Sequence, residues 1–300
     1  MLQKCATLIE MKVGLQISKF TWPGEPKTIH SILTKIAQTA DKGGFSSLWV
    51  MDHFFQIEYI GPEEEPMLEA YTTLGYLAGI TKQVKLGTMV TGVIYRQPAL
   101  LIKAVTTLDV ISNGRAYFGV GAAWNESESK ALGFPFPEIK VRFEQLEDVL
   151  KLAKQMWSDD ERAFTGKQFT LPRPLNHPQA ISKPHPPILI GGGGEKKTLR
   201  YVAQYADACN LFARAGEEEL VRKLDILKKH CSDVGRNYDE IEKTVLYQVP
   251  PEFDAKKVVE ELKHLHSLGI DHAIMGIPTM YEIDPIKKVS LEVIPQVTDL

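Results

Sequence analysis

Residues 84–120 read VKLGTMVTGVIYRQPALLIKAVTTLDVISNGRAYFGV. The stretch opens with a β-rich apolar run, Val84–Val90. Pro98–Val110 then has helix character, and its proline sits near the first turn, where a missing N–H is harmless. Asn113-Gly114 is a turn, and Arg115–Val120 is a second strand run. Strand, helix and strand in that order make one β–α–β unit.

The same rhythm runs outward in both directions. Upstream, strand-like Val13–Ile17 precedes Lys27–Lys42, whose Ile29, Ile32, Leu33, Ile36, Ala37 and Ala40 form one helical face closed by Gly43-Gly44. Ser47–Met51 is the second strand and Glu69–Ile80 the second helix. Downstream, Arg142–Trp157 is a long helix. Strands at Ile188–Ile190, Ala208–Leu211, Lys243–Val249 and His272–Gly276 alternate with helices at Lys197–Tyr205, Glu217–Cys231 and Ala255–Leu268 and a short one at Ile283–Val293. Eight such units predict a (β/α)₈ barrel rather than an open doubly wound sheet. Residues 158–186 interrupt the rhythm with Pro172, Pro174, Pro178, Pro184 and Pro186 and a hairpin near Phe164–Leu171. They are expected to form an insertion covering the C-terminal mouth. The 300 residues alone leave one or two domains open; counting units assigns 11–300 to a single domain behind an N-terminal extension, 1–10.

Composition narrows the function classes. A formal net charge of −3, from 35 basic and 38 acidic residues, argues against a nucleic-acid partner. No apolar run approaches the ~18 residues of a membrane span. Three widely spaced cysteines (Cys5, Cys209, Cys231) contain no C-x-x-C pair and fit a reducing cytoplasm.

In either α/β architecture the chemistry belongs beyond the C-terminal strand ends. Two features there stand out. Gly191–Gly194 are four consecutive glycines between a strand and a helix, where bare N–H groups and the helix terminus suit an anion; a tight turn would need only one or two of them. The spacing fits neither G-x-G-x-x-G nor a Walker-A loop. The second is Asp52-His53 on a strand exit, either a proton-transfer pair or a buried structural one. Around them lie the aromatics Phe20, Trp22, Phe54, Phe55, Tyr95, Trp124 and Phe212, which together suit a flat ring, although any one of them is more often plain packing. His264 and His266 sit two apart on a helix and cannot chelate together. Glu63-Glu64-Glu65 reads as a solvated loop, and His177 and His185 sit in the proline-rich insertion with no acidic ligand pattern. No G-x-S-x-G elbow occurs, and no metal is expected.

Several segments together carry a family resemblance: LWVMDH (48–53), LGTMVTGV (86–93), QPALL (97–101), TLDVISNGR (107–115), GVGAAWNE (119–126) and PILIGGGG (187–194). In this order and spacing the chain resembles the bacterial-luciferase-like superfamily of flavin- and deazaflavin-dependent oxidoreductases, above all its coenzyme F420 branch. The resemblance runs from about Met11 to Leu211. It implies a (β/α)₈ barrel, a deazaflavin whose phosphate lies near Gly192, Gly193 and Gly194, and a small organic substrate. It implies cofactor contacts at Thr91, Gly92, Val93, Ala122 and Asn125, with a non-prolyl cis peptide at Gly92–Val93 behind the ring. His53 would transfer the proton, with Asp52 beside it. Some deazaflavin dehydrogenases carry a glutamate just after the fourth strand's Gly-x-Gly; this chain has Ala122-Ala123-Trp124 there, and Glu126 is not expected to be catalytic. No arginine cluster announces a phosphate ester; Arg214 is a lone candidate and reads more readily as a surface residue. FMN-dependent monooxygenation and non-catalytic flavin binding are the alternatives. Homodimers are common in that family, and no sequence feature here demands one.

Overall fold

The computed structural model describes residues 11–298, so the extension expected over residues 1–10 lies outside the described residues. The elements are β1 (Lys12–Ile17), α1 (Ile29–Lys42), β2 (Ser47–Val50), α2 (Ala70–Ile80), β3 (Lys85–Thr88), β4 (Thr91–Gly92), α3 (Pro98–Ile111) and β5 (Phe118–Gly121). There follow α4 (Glu126–Ala131), α5 (Ile139–Trp157), the β6–β7 hairpin (Phe164–Thr165, Thr170–Leu171), β8 (Ile188–Gly191), α6 (Thr198–Tyr205), β9 (Ala208–Phe212) and α7 (Glu217–Val234). The chain ends through β10 (Glu242–Gln248), α8 (Ala255–Ser267), β11 (His272–Gly276), α9 (Asp284–Lys288) and α10 (Ile294–Val297). Among the described residues no helix is long and apolar enough to cross a membrane.

All nine strands of the main sheet are parallel, in the order β3-β2-β1-β11-β10-β9-β8-β5-β4. The sheet closes on itself. Leu86 bridges Ala116, with N–H···O bonds of 2.8 Å from Leu86 to Arg115 and 2.7 Å from Tyr117 to Leu86. Thr91 and Gly92 then pair with Val120 and Gly121. β3 and β4 are thus one broken path, and the barrel has eight staves as the rhythm of the sequence predicts. The break carries the non-prolyl cis peptide, Met89–Val90. The expected Gly92–Val93 position is wrong. LGTMV reads as one apolar run, but the ladder to β2 ends at Val50–Thr88, so the strand stops two residues before Val90.

Most of the helices lay an apolar face on the staves; α4 instead buries the polar Glu128 and Ser129. α1 buries Ile29, Leu33, Ile36, Ala37 and Ala40, and each fully buried Ile or Leu contributes about 1.5–3 kcal/mol. Trp49, Met89, Leu189, Ala208 and Ile274 fill the barrel's inside. Arg115, expected in a strand, instead lies buried beside it. Its guanidinium donates to the carbonyls of Ala78, Thr81, Val84 and Ser112, tying the ends of α2 and α3 to the barrel's lower edge.

The 158–186 segment does not cover the mouth. Its hairpin docks on α5, where buried Asp148 accepts from the N–H groups of Lys167, Gln168 and Phe169 at 3.0, 2.6 and 3.1 Å. Further on, Asn176 bonds Thr106 on α3, and Ser182 bonds Asp109 and the Gly114 carbonyl. The reason is topological. A helix-to-strand connection starts and ends at the face where strands begin, and the mouth lies at the other end.

Candidate active site

At the C-terminal ends of the staves lies a cavity of about 1180 Å³. That exceeds the few hundred Å³ of an ordinary ligand pocket and leaves room for a cofactor together with a substrate. Strand ends supply its wall: Ser18, Lys19, Thr21 and Trp22 after β1, Met51 and His53 after β2, and Met89 after β3. Trp124 follows β5, Phe212–Arg214 close β9, and Gly276–Tyr281 follow β11. Ile57, Tyr59 and Ile60 come from the long β2–α2 loop, which takes the rim position expected of the insertion.

His53 faces this cavity and is fixed from behind. Its Nδ1 lies 2.9 Å from Glu128 Oε2, and its ring meets Trp124 edge-on at 5.4 Å. Among the described residues Nε2 has no hydrogen-bond partner. Glu128 is fully buried on α4, and its other oxygen accepts from the N–H groups of Phe54 and Phe55 at 2.5 and 2.9 Å. Tyr95 Oη donates at 2.7 Å to Oε2, the oxygen that faces His53. Burial pushes the Glu128 carboxyl up, but the bonds from His53, Phe55 and Tyr95 outweigh this and hold it below the usual carboxylate value. A buried anion therefore sits behind the imidazole, favouring the tautomer with the proton on Nδ1 and Nε2 free to take one.

Asp52, the sequence neighbour, does not orient His53. It receives two bonds from Arg96, 2.6 and 2.9 Å, and Arg96 also reaches Glu69 while lying 4.7 Å above the Tyr71 ring. Burial holds the Asp52 carboxyl above its ordinary value despite those bonds, and Tyr71 is pushed up by burial and by Asp52. Tyr71 bonds Thr91, and Thr91 bonds Thr88. The expected Asp-His pair is thus two networks meeting at one strand exit, because successive residues leaving a strand point to opposite sides.

The other expected contacts divide. Thr91, Gly92 and Val93 are buried and do not line the cavity; Met89, beside the cis peptide, does. Ala122 is partly buried against the core. Asn125 caps α4, its Oδ1 accepting from the Glu128 N–H at 3.2 Å and from Ser127 Oγ at 3.1 Å. Its side chain therefore places Glu128. Glu126 is exposed and pairs with Lys130. The glycine loop sits between β8 and α6. Gly192 has φ +104°, which side-chain-bearing residues rarely adopt, and its N–H bonds the Asn210 carbonyl at 3.2 Å. A Cβ on Gly194 would stand 2.7 Å from Thr198 Oγ1. No side chain caps the first turn of α6. The backbone of Gly193 and Gly194, a turn that a Cβ on Gly194 would fill and a helix start with no side-chain cap fit a phosphate, beside rather than within the cavity wall.

Glu128 is the residue that sequence reasoning missed. The segment ESESKA has no apolar stripe, and the only local signal was Asn125 three residues ahead, an N-cap spacing.

The family model described as luciferase-like monooxygenase matches residues 11–281. Among curated relatives, an F420-dependent glucose-6-phosphate dehydrogenase of Amycolatopsis mediterranei is 27% identical over 242 residues, 79% of this chain and 70% of that protein. Among solved structures, an F420-dependent secondary alcohol dehydrogenase bound to an F420-acetone adduct superposes with a TM-score of 0.82. It is 21% identical, and the match covers 97% of this chain and 100% of that one. The coenzyme F420-dependent tetrahydromethanopterin reductase of Methanopyrus kandleri gives 0.79 at 17% identity, over 96% and 99%.

Proposed function

The chain belongs to the luciferase-like monooxygenase family, and from that premise we propose that it is a coenzyme F420-dependent oxidoreductase acting on a small organic substrate. The observation that carries this reading is His53, held by buried Glu128 on the wall of a cavity large enough for two ligands. The F420-dependent names of its relatives support the choice of cofactor.

Bound F420 supplies hydride chemistry at C5 of its deazaflavin. The residues fit that group: Gly192, Gly193 and Gly194 with the start of α6 would hold its phosphate, and Met89 and Val90 would back its ring. His53 Nε2 gives or takes the substrate proton, and Glu128 stabilises the imidazolium between those events. The Arg96–Asp52–Glu69 cluster keeps the strand exit rigid, so the imidazole is positioned before substrate arrives. Trp124, Trp22 and Met51 give the same cavity an apolar, aromatic wall.

Titration of the purified protein with F420 and with FMN tests the reading. The expected result is micromolar binding of F420 with negligible FMN binding; the reverse, with oxygen consumed by reduced FMN, makes the protein a monooxygenase instead. His53→Ala should lower kcat by about 10²–10⁴-fold, the span of general acid–base contributions. Its F420 Kd should stay within about threefold if the ring is catalytic and not merely a wall of the cofactor site.

A further inference from the structure

Four basic or acidic side chains line the cavity: Lys19, His53, Arg214 and Glu261. Three already have partners. Lys19 pairs with Glu65 at 3.1 Å, His53 with Glu128, and Glu261 accepts from Tyr247. Arg214 has none: among the described residues it makes neither an ion pair nor a hydrogen bond. It stands instead over two rings, 5.6 Å from Tyr59 and 5.2 Å from Phe212.

The placement is specific. Phe212 ends β9, and Arg214 lies in the single helical turn that follows. Tyr59 comes from the β2–α2 loop on the other side of the opening, so two distant segments converge on one guanidinium. Tyr59 and Phe212 are 74% and 40% exposed, so these rings build a rim rather than a core. A guanidinium lying on aromatic faces is fixed in direction while its edge N–H groups stay free for a planar or tetrahedral oxyanion. The rings continue inward: Tyr59 meets Trp124 at 6.4 Å, and Trp124 meets His53 at 5.4 Å. The net charge of the whole chain is negative, yet among the described residues the unpaired charge lining this opening is positive.

We infer that the substrate carries a carboxylate or phosphate group seated on Arg214, with its body lying along Tyr59 and Trp124 toward His53. This rests on the cavity being the oxidoreductase site proposed above and adds the class of substrate. The cofactor could also offer an anion, so the test separates the two sources.

Benzoate and its neutral isostere benzamide serve as probes, titrated calorimetrically into F420-loaded and cofactor-free protein. The cofactor-free arm reads the anion site even if F420 fails to bind. Wild type should bind benzoate at least about tenfold more tightly than benzamide, the size of one charge-assisted contact. Arg214→Gln should abolish that preference and leave benzamide within twofold; Arg214→Lys should keep only part of it, lacking the fork. The F420 Kd of Arg214→Gln should stay within twofold. Equal binding of the two probes by wild type overturns the inference, as does a preference that survives in Arg214→Gln. A loss of F420 affinity as large as that of benzoate assigns the anion to the cofactor and also overturns it. Arg214 is exposed and bonds nothing, so an unchanged melting temperature should certify the variant's fold.

Discussion

At the scale of single residues, the decisive partnership joins side chains 75 positions apart in sequence. Glu128→Gln keeps the volume of the side chain and an oxygen for the Phe54 and Phe55 N–H groups but removes the charge behind His53. Turnover should fall roughly tenfold to a hundredfold, as when a partner that fixes a histidine ring is removed elsewhere. F420 affinity should barely change. The same variant makes a pH prediction. The Glu128 carboxyl is held below its ordinary value in the folded protein, so its charge stabilises the fold above the unfolded glutamate value of about 4.3. That contribution disappears as pH falls through the lower folded value. Melting curves of wild type and Glu128→Gln should therefore differ fully at pH 7 and converge in strongly acidic buffer. A gap that widens as pH falls would mean that Glu128 is held protonated instead.

At the scale of elements, the hairpin segment shows how a connection's ends dictate where it can go. Residues 158–186 leave α5 at the end where strands begin, and Asp148, Thr106, Asp109 and Gly114 hold them along the outer wall. Their prolines announced an irregular segment in the sequence, but no local signal told which face it would lie on. Asp148→Ala removes one buried acceptor of three backbone N–H groups. It should cost about 3 kcal/mol, a fall of about 5 °C in Tm for a chain of this size. Because that contact lies far from the mouth, kcat/KM below the transition should stay within twofold. A large kinetic effect with little loss of stability would restore the segment to the opening. The break between β3 and β4 teaches a similar lesson. Whether a strand continues depends on its neighbour's register, so LGTMV looked unbroken until its pairing with β2 was seen.

At the scale of the whole molecule, the barrel was legible because burial on both faces imposes apolar runs on parallel strands, and helix periodicity between them is equally forced. The glycine loop was legible for the same kind of reason, since a conformation like that of Gly192 demands its residue type. The networks of Asp52 with Arg96 and of His53 with Glu128 were not, because contacts between strand exits depend on the closed ring and leave no periodic trace. Closure also makes the mouth report on global stability. A ligand that bridges the ends of β3 and β8 is bound only by the folded barrel. At a free concentration of 100 times its Kd it adds about 2.7 kcal/mol to unfolding. For a cooperatively unfolding chain of this length that raises Tm by about 4 °C. F420 should produce such a rise, growing with the logarithm of its concentration, and Arg214→Gln should show it undiminished. A negligible shift at saturation would mean that the ligand touches one wall of the barrel rather than holding its ring together.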